Sequence, residues 1–482
     1  MFELYNQIDI LQEFEIDIYC IFMALNNSEI TIYISNMSED VWLFIQSMSS
    51  LYERQFEINE NVGLSEHDLF SFSGKNNTVM VLPKPVKKIY LEYFKNITGN
   101  SNLEILFPNI HTGEICRDII TDRKIVEELI KISGKYKKTN LISYCYSPQF
   151  NNLFQFLLSK NNNIAIPEAP EEANSWIVDF YGSKSGIRQL ADKTNIEERD
   201  FIMPPGVISM DPDICCKIAA NMYVKNGGVV IKTNKGHAGA GILIFRKNNL
   251  PKTYRECEYE IKKYLNKEKY WKNFPIIIEK FIEPALTIAG GYPNVEFKVN
   301  NSGKVEFLYY CQNRLTESGV FKGIEIHNSV LSDEDTAELV DIGFFVGKKL
   351  SALGYRGFFD IDFIAAKNGE KYVTESNIRR TGGSHVYFLT KHLFGKDFLY
   401  DTYVISNNLY EINDAKIMEF EDLVKILQPV LFNKKNKEGL IITGARLLEQ
   451  NKFGYVIYGK NKIRALKLEM EMEKLLKANY PV

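Results

Sequence analysis

A turn flanked by acidic strands is the feature that most restricts how this sequence can fold. The dipeptide Asn368-Gly369 separates two strand-like runs, and this pair favours a two-residue hairpin turn of type I′. With that turn, Asp362 pairs with Glu375 and Asp360 pairs with Asn377. Because side chains alternate between the two faces of a strand, these four side chains lie on one face. We therefore expect an oxygen-rich cluster on this hairpin.

The carboxylates of such a cluster would repel one another by about 1–4 kcal/mol per pair, depending on the local dielectric. A cation relieves this repulsion, and carboxylate and amide oxygens are the ligands that Mg²⁺ prefers. The alternative is a solvated sheet face that binds nothing. A three-residue turn would place Asp362 and Glu375 on opposite faces and dissolve the cluster.

The composition excludes several classes of protein. With 482 residues, the chain is long enough for about two to four domains. The net charge of −3 provides no basic surface for nucleic acid, and no long basic helix indicates a membrane surface. The seven cysteines are scattered without a CxxC pair, which argues against a disulfide framework and against a zinc site.

The N-terminal segment predicts a cytoplasmic protein. Residues 1–17 are acidic where a secretory signal would be basic, and the apolar run Ile18–Leu25 is too short to span a bilayer. The first 170 residues then alternate strand-like and helical runs, which favours a mainly parallel, three-layer domain. They contain no GxGxxG, so the sequence gives no support for dinucleotide binding there.

A glycine-rich loop between two strand-like runs is a candidate phosphate site. Gly236, Gly239 and Gly241 follow Lys232, which ends the run VVIK. Glycines let backbone N–H groups approach phosphate oxygens, and a lysine adds positive charge. The loop lacks GK[ST] and precedes a strand, so it is not a Walker loop, and a hairpin without a ligand is an equal alternative.

The run Pro275–Glu283 reads as a buried strand with a polar exit. Such an edge can offer backbone groups and a carboxylate to a purine. On its own, however, this run is better explained as a core strand with exposed ends.

These segments together resemble the ATP-grasp superfamily of carboxylate-amine ligases. The resemblance is carried by Lys184 in SKSGIRQL, Lys232 in VVIKTNKGHAGAG, the run IIIEKFI, and above all DIDF followed by ESNIRRTGG. It covers roughly residues 183–383. The chain is most similar to the group with a pre-ATP-grasp domain, which includes the peptide ligase of pheganomycin biosynthesis and the aminoacyl-carrier-protein ligase of butirosin biosynthesis.

The resemblance implies a fold class of α/β and α+β. It implies an ATP-grasp fold, in which two α+β lobes sandwich ATP, preceded by a Rossmann-like pre-ATP-grasp domain. The expected units are residues 1–170 for the pre-ATP-grasp domain, 171–395 for the ATP-grasp region with a lid at about 200–283, and 396–482 for a C-terminal α+β extension.

The resemblance also implies roles for individual residues. Lys184 and Lys232 would hold the ATP phosphates beneath Gly236, Gly239 and Gly241. Adenine and ribose would contact the segment that contains Glu279, Lys280, Ile282 and Glu283, with Glu296 as an alternative ribose ligand. The metal ligands would be Asp362, Glu375 and Asn377; the family pattern favours Asp362 over Asp360. Two Mg²⁺ ions are expected, and Mn²⁺ is an alternative.

Two arginines follow the metal-binding strand. Arg379 would contact the acyl phosphate and would be catalytic together with Lys232. Arg380 either orients the carboxylate substrate with the loop Thr381-Gly382-Gly383 or faces solvent. Arg314, Glu317 and Lys322 are candidates for the border of the acceptor site, where our interpretation of the sequence ends.

The implied activity is formation of an amide or peptide bond, in specialised metabolism, from a small carboxylate such as an amino acid or peptide and an amine. ATP would activate the carboxylate as an acyl phosphate. The alternatives are a thioester ligase that acts on a carrier protein and an ATP-binding regulatory or scaffold protein without turnover. His237 or His385 could take a proton from the amine, although bystander roles are favoured. A homodimer is compatible with the sequence.

Overall fold

The structure is a computed structural model that describes residues 29–194, 196–237, 240–412 and 418–479. The predictions for the N-terminal segment, for Cys20 and for Gly239 therefore fall outside the described residues. Three β-sheets organise the described part of the chain. None of its helices is both long and apolar enough to cross a membrane.

The first sheet is parallel and has five strands, in the order β3-β2-β1-β4-β5. The strands are β1 (Glu29–Ile34), β2 (Thr78–Val81), β3 (Glu104–Leu106), β4 (Lys138–Ser143) and β5 (Ile164–Ala165). The helices around them are Met37–Asp40, Trp42–Ser47, Leu51–Leu64, Asp68–Ser71, Lys88–Thr98, Ile115–Thr121, Arg123–Ser133 and Pro148–Leu158. Apolar clusters cover both faces of the sheet. The predicted mainly parallel, three-layer arrangement is confirmed.

The second sheet has four antiparallel strands, in the order β6-β9-β7-β8. They are β6 (Gly206–Ser209), β7 (Val229–His237), β8 (Ala240–Phe245) and β9 (Ile276–Lys280). Helices Pro212–Asn226, Tyr254–Leu265 and Tyr270–Asn273 belong to the same region. Buried Cys215 and Cys257 join a core that also contains Phe44 from the first region. The sheet thus lies within the predicted lid and packs against the N-terminal helices.

The third sheet has eight antiparallel strands, in the order β14-β13-β10-β11-β12-β15-β17-β16. They are β10 (Pro293–Val299), β11 (Val305–Leu315), β12 (Phe321–Ile326), β13 (Gly357–Ala365), β14 (Lys371–Asn377), β15 (Tyr403–Glu411), β16 (Gly439–Gly444) and β17 (Lys452–Gly459). Its last three strands come from the expected C-terminal extension. The sheet therefore runs across the expected boundary at residue 396 without interruption.

The remaining helices join and cover these sheets. They are Trp176–Tyr181, Lys184–Thr194, Asp333–Ala352, Ser384–Phe394, Phe398–Asp401, Phe420–Leu427 and Lys462–Asn479. The helix Asp333–Ala352 begins at Ser332, whose hydroxyl accepts a hydrogen bond from the Asp335 N–H. Gly343 lies against the Phe297 ring, so the helix packs closely on the third sheet and supports the strands that carry the acidic cluster.

The acidic hairpin differs from the prediction in its turn but not in its key pairing. The Ala366 N–H donates to the Glu370 carbonyl, so the turn contains three residues, and Phe363 pairs with Val373. A β-bulge then follows, because Thr374 has no partner of its own and Asp362 pairs with Glu375. The two-residue turn was wrong. The bulge adds one residue on the second strand, which cancels the shift that the longer turn introduces.

Candidate functional site

A cavity of about 280 Å³ lies among the three sheets. Its walls contain many of the side chains singled out in the sequence: Lys184, Gly236, Asp360, Asp362, Glu375, Asn377, Arg379 and His385. The first region also contributes Met37, Asp40, Leu64, His67 and Tyr144. Residues far apart in the chain therefore converge on one pocket, and the N-terminal region forms part of its wall.

The acidic hairpin lies in this wall with its carboxylates bound by amide groups. Asp362 accepts hydrogen bonds from the side-chain amides of Asn294 (2.8 Å) and Asn313 (2.7 Å). Asp360 accepts from the Asn294 amide (3.0 Å) and from the Asn377 side-chain amide (2.9 Å). Asp360 is almost fully buried. Its carboxylate thus orients the side-chain amides of Asn294 and Asn377, and the choice of Asp362 as the metal ligand stays a prediction.

Burial and mutual repulsion make this cluster electrostatically unfavourable. Burial and the Glu375 charge raise the pKa of Asp362 to about 6. Burial and the charges of Asp362 and Glu296 raise the pKa of Asp360 well above its usual range. Burial would also raise the pKa of Glu375, but the Lys184 ammonium, 2.6 Å from it, outweighs this effect and lowers it. The cluster therefore carries a negative charge that a further cation would stabilise.

The donor set fits a magnesium ion that also binds a phosphate. In the described parts of the chain, no group of three or more His, Cys, Asp or Glu side chains is arranged to hold a metal. Mg²⁺ usually keeps several waters and binds one or two carboxylates together with substrate phosphates, so a complete protein cage is not required. Asp362, Glu375 and the side-chain oxygen of Asn377, which accepts from Arg379 in this structure, would provide such a partial set.

Arg379 connects the cluster to the N-terminal region and to the glycine-rich strand. Its guanidinium donates to the Asp40 carboxylate (2.7 Å) and to the Asn377 side-chain oxygen (2.9 Å). The second Asp40 oxygen lies 3.8 Å from the Lys235 ammonium. Lys235 also binds Asp179 (2.8 Å). Asp40 therefore holds Arg379 and the start of the glycine loop in one arrangement.

Lys232 does not line the cavity, and its ammonium is held by a buried ion triad. The Glu279 carboxylate binds the Lys232 ammonium (2.7 Å) and the Arg188 guanidinium (2.6 Å). Arg188 also donates to the Pro204 carbonyl (2.8 Å). In this structure both oxygens of Glu279 are bound by cations of the protein, so its side chain serves to fix Lys232.

The other residues predicted for adenine and ribose lie away from the cavity wall. Lys280 and Glu283 are exposed, and Glu283 lies 3.6 Å from Lys367. Ile282 is buried and does not line the cavity. Glu296 is fully buried and accepts from Thr381 (2.8 Å) and Ser384 (2.9 Å), so it fixes the loop after Arg380. The structure does not bring Lys280, Ile282 and Glu283 together with the acidic cluster, whereas Glu296 pairs with Asp360 on the neighbouring strand.

Arg380 matches neither alternative considered for it. Its side chain is 3% exposed, so it does not face solvent, and it does not line the cavity. It donates to Glu168 and lies over the Phe358 ring at 4.2 Å. Lys298 binds the same carboxylate at 2.6 Å. Arg380 therefore connects the ExNxR strand to the linker after the first sheet.

The suggested acceptor-border residues also lie elsewhere. Arg314 binds Glu469 (2.8 Å) on the C-terminal helix, and neither Glu317 nor Lys322 lines the cavity.

Two glycines of the predicted phosphate loop lie within the described residues. Gly236 lines the cavity, and Gly241 lies directly beside Thr233 with a positive φ of 85°. Gly241 therefore has both the backbone conformation and the close contact that favour glycine.

Several functional candidates were missed in the sequence. Asn294 and Asn313 lie on β10 and β11, which also contain charged residues such as Glu296, Lys298 and Arg314, so no local pattern distinguished the two amides. Asp40 and Arg188 gave no local signal, because their charged partners Arg379 and Glu279 lie more than 90 residues away.

Comparison with known proteins gives one curated relative and many solved structures. No family model matches the chain. The chain is 22% identical over 291 residues to the L-propargylglycine–L-glutamate ligase of Streptantibioticus cattleyicolor. This match covers 58% of the chain and 55% of the relative, so the chain spans about half the length of the curated relative it matches.

The solved structures match over nearly the whole chain. N5-carboxyaminoimidazole synthase from Aspergillus clavatus, in complex with ADP and 5-aminoimidazole ribonucleotide, has a TM-score of 0.53 at 9% identity and covers 94% of this chain and 99% of its own. Biotin carboxylase from Campylobacter jejuni, in a β,γ-ATP complex, has a TM-score of 0.52 at 12% identity and covers 91% and 89%. These likenesses show that the chain has the ATP-grasp fold that the sequence resemblance predicts.

Proposed function

We propose that this protein is an ATP-dependent ligase that joins a carboxylate to an amine through an acyl phosphate. The arrangement of opposite charges in one cavity is the observation that carries this proposal. Lys184 and Arg379 provide positive charge, and Asp362, Glu375 and Asn377 provide oxygen ligands, all in the same wall. Cations beside a metal-binding carboxylate pair are what phosphoryl transfer requires, since that reaction depends on positioning and charge neutralisation.

The chain's own residues would act as follows. Lys184 and Lys232 hold the phosphates of ATP, and Lys232 is oriented by Glu279. A carboxylate oxygen of the substrate forms a bond to the γ-phosphorus, and ADP leaves with the electron pair of the broken bond. Arg379 binds the resulting acyl phosphate. Mg²⁺, held by Asp362, Glu375 and Asn377, would neutralise the phosphate charge when bound.

In the second step, the amine nitrogen forms a bond to the acyl carbon and inorganic phosphate leaves. Water would hydrolyse the acyl phosphate, so the bound substrates must keep it from the acyl carbon. Adenine and ribose binding near Lys280, Ile282 and Glu283 remains part of the proposal and would require the nucleotide to extend beyond the cavity described above. No residue needs to form a covalent bond with the substrate.

Amino acids are the proposed substrate class for both steps. The curated relative is named for joining L-propargylglycine to L-glutamate. A cavity of about 280 Å³ is close to the lower end of small-molecule pockets, which measure roughly 300–1,000 Å³. That size suits one small substrate beside the terminal phosphates of ATP. We therefore propose that the product is a dipeptide or a related amide.

The test is a product screen with a matched pair of variants. The protein is incubated with ATP, Mg²⁺ and the twenty standard L-amino acids, and ADP, phosphate and dipeptides are measured. We expect ADP and dipeptide from the wild type and from Glu370→Gln, because Glu370 lies exposed on the same hairpin. Glu375→Gln should form neither product. Production of AMP, or full activity of Glu375→Gln, would contradict the proposal.

A further inference from the structure

Two buried histidines pack against each other in the cavity wall, with their rings tilted by 40°. His67 comes from the first region of the chain, and His385 lies in the first turn of the helix Ser384–Phe394. Their ring centroids are 4.6 Å apart, and each residue is 3% exposed. Both line the cavity, and neither has a role in the reaction as described so far.

His385 has a buried ring nitrogen without a hydrogen-bond partner. Its Nε2 has none among the described residues, whereas the ring interacts with the backbone of Gly382. The ring therefore donates from Nδ1–H to the Gly382 carbonyl, and this tautomer leaves the lone pair of Nε2 free. An unpaired buried acceptor is unfavourable, so a ligand that donates an N–H or O–H would stabilise this site.

His67 holds the His385 ring in place. On its other side, His67 Nε2 lies against the pair Gly444 and Gly454 of strands β16 and β17. A Cβ at these positions would lie 2.4 Å and 2.3 Å from that nitrogen. The His67 ring is thus enclosed between the third sheet and His385. It is a positioning residue that the first region contributes to the cavity.

Both imidazoles are neutral at physiological pH. Burial lowers the pKa of His67 to about 3. Burial and the adjacent His67 lower the pKa of His385 well below its usual range, and the Gly382 carbonyl only partly opposes this. His67 is the ionisable neighbour that acts on His385. A neutral acceptor suits an amine and does not attract a phosphate or a carboxylate.

The position of His385 in the chain places it near the reacting group. The loop Thr381-Gly382-Gly383 joins it to the two arginines, and Arg379 is expected to hold the acyl phosphate. Glu296 fixes both ends of this loop through Thr381 and Ser384. The cavity wall includes Arg379, each loop residue and His385. Arg379, this loop and His385 therefore line the same cavity within seven consecutive residues.

We propose that Nε2 of His385 accepts a hydrogen bond from the amino group of the acceptor amino acid and directs its nitrogen lone pair at the acyl phosphate. This inference rests on the proposed function. The acceptor reacts as the free amine. Its nitrogen forms a bond to the acyl carbon, the bond from that carbon to the phosphate oxygen breaks, and phosphate leaves with the electron pair and takes up the proton that nitrogen loses.

A competition between two amines tests this assignment. Each protein receives ATP, Mg²⁺, the twenty standard L-amino acids and excess hydroxylamine, which traps acyl phosphates as hydroxamates. The ratio of dipeptide to hydroxamate is measured by mass spectrometry. His385→Phe keeps a ring against His67 but has no acceptor, and the loss of one hydrogen bond should lower the ratio about tenfold. His385→Gln, which retains an acceptor oxygen, should recover part of it.

The control is His392→Gln on the same helix. His392 binds the Thr98 carbonyl (2.7 Å) and does not line the cavity, so the ratio should not change. An unchanged ratio in His385→Phe, or an equal fall in the control, would overturn the inference. If His385→Phe does not fold, the shorter acceptor of His385→Asn should lower the ratio instead. A wild type that forms neither product would refute the proposed function itself, which is a separate outcome.

Discussion

The buried triad of Glu279, Arg188 and Lys232 gives a quantitative prediction. The Glu279 side chain is 3% exposed, and its two ion pairs measure 2.6 Å and 2.7 Å. Glu279→Gln keeps the shape of the side chain but leaves two buried cations without a counter-charge. Breaking a buried ion pair in this way typically costs about 3–5 kcal/mol. We expect a loss of that size in the free energy of unfolding, which for a chain of 482 residues corresponds to roughly 3–5 °C in the melting temperature.

The measurement is thermal and urea denaturation of the full chain, followed by circular dichroism. Glu283→Gln is the matched control, because Glu283 is exposed and its pair with Lys367 is long at 3.6 Å. Such a surface pair contributes about 0–1 kcal/mol. Adding Arg188→Met to Glu279→Gln removes one stranded cation and should restore part of the stability. A Glu279→Gln variant within about 1 kcal/mol of the wild type would refute the reasoning.

Three further predictions follow from other parts of the structure. Glu375→Gln should still fold but release no ADP in a coupled assay, whereas wild-type turnover would contradict the metal assignment. Burial opposes ionisation of Glu168, but Arg380 and Lys298 outweigh it and lower its pKa from 4.5 to about 2. Ionised Glu168 therefore stabilises the fold above pH 4.5 by about 3 kcal/mol, and this stability is lost as the pH falls towards 2. Denaturation should give Glu168→Gln a lower free energy of unfolding than the wild type at pH 7, and this difference should shrink as the pH falls to 3. A difference that stays constant over this range would contradict the prediction. Gly444→Ala places a methyl group 2.4 Å from the His67 ring and should cost about 1–3 kcal/mol of unfolding free energy in urea, unless the ring moves without cost.

Local patterns predicted much of the fold and the centre of the site. Alternating strand-like and helical runs indicated the parallel sheet, and the ExNxR motif indicated the strand that carries Glu375 and Asn377. The pairing of Asp362 with Glu375 was predicted, but for an incomplete reason, because the turn is longer and the bulge at Thr374 restores the register. A bulge depends on the packing of both strand faces, which a turn dipeptide does not encode.

The remaining features depend on contacts between distant segments. The partner of Arg380 is Glu168, 212 residues earlier, so no local pattern could place that guanidinium in the interior. Likewise, Glu279 was predicted as a nucleotide ligand because the strand position matched, while its cationic partners come from a helix and from another strand. The N-terminal contribution of His67 and Asp40 to the cavity follows from domain packing, which sequence periodicity does not predict.

In the proposed reaction, ATP activates a carboxylate by forming an acyl phosphate in this cavity. The most direct test uses amino acids whose carboxylate oxygens are labelled with ¹⁸O, together with ATP and Mg²⁺, and measures the label in the released phosphate by mass spectrometry. When the amine displaces phosphate from the acyl carbon, each phosphate leaves with one oxygen of the original carboxylate. We therefore predict one singly labelled phosphate for each dipeptide formed. Dipeptide formed with unlabelled phosphate would contradict the account.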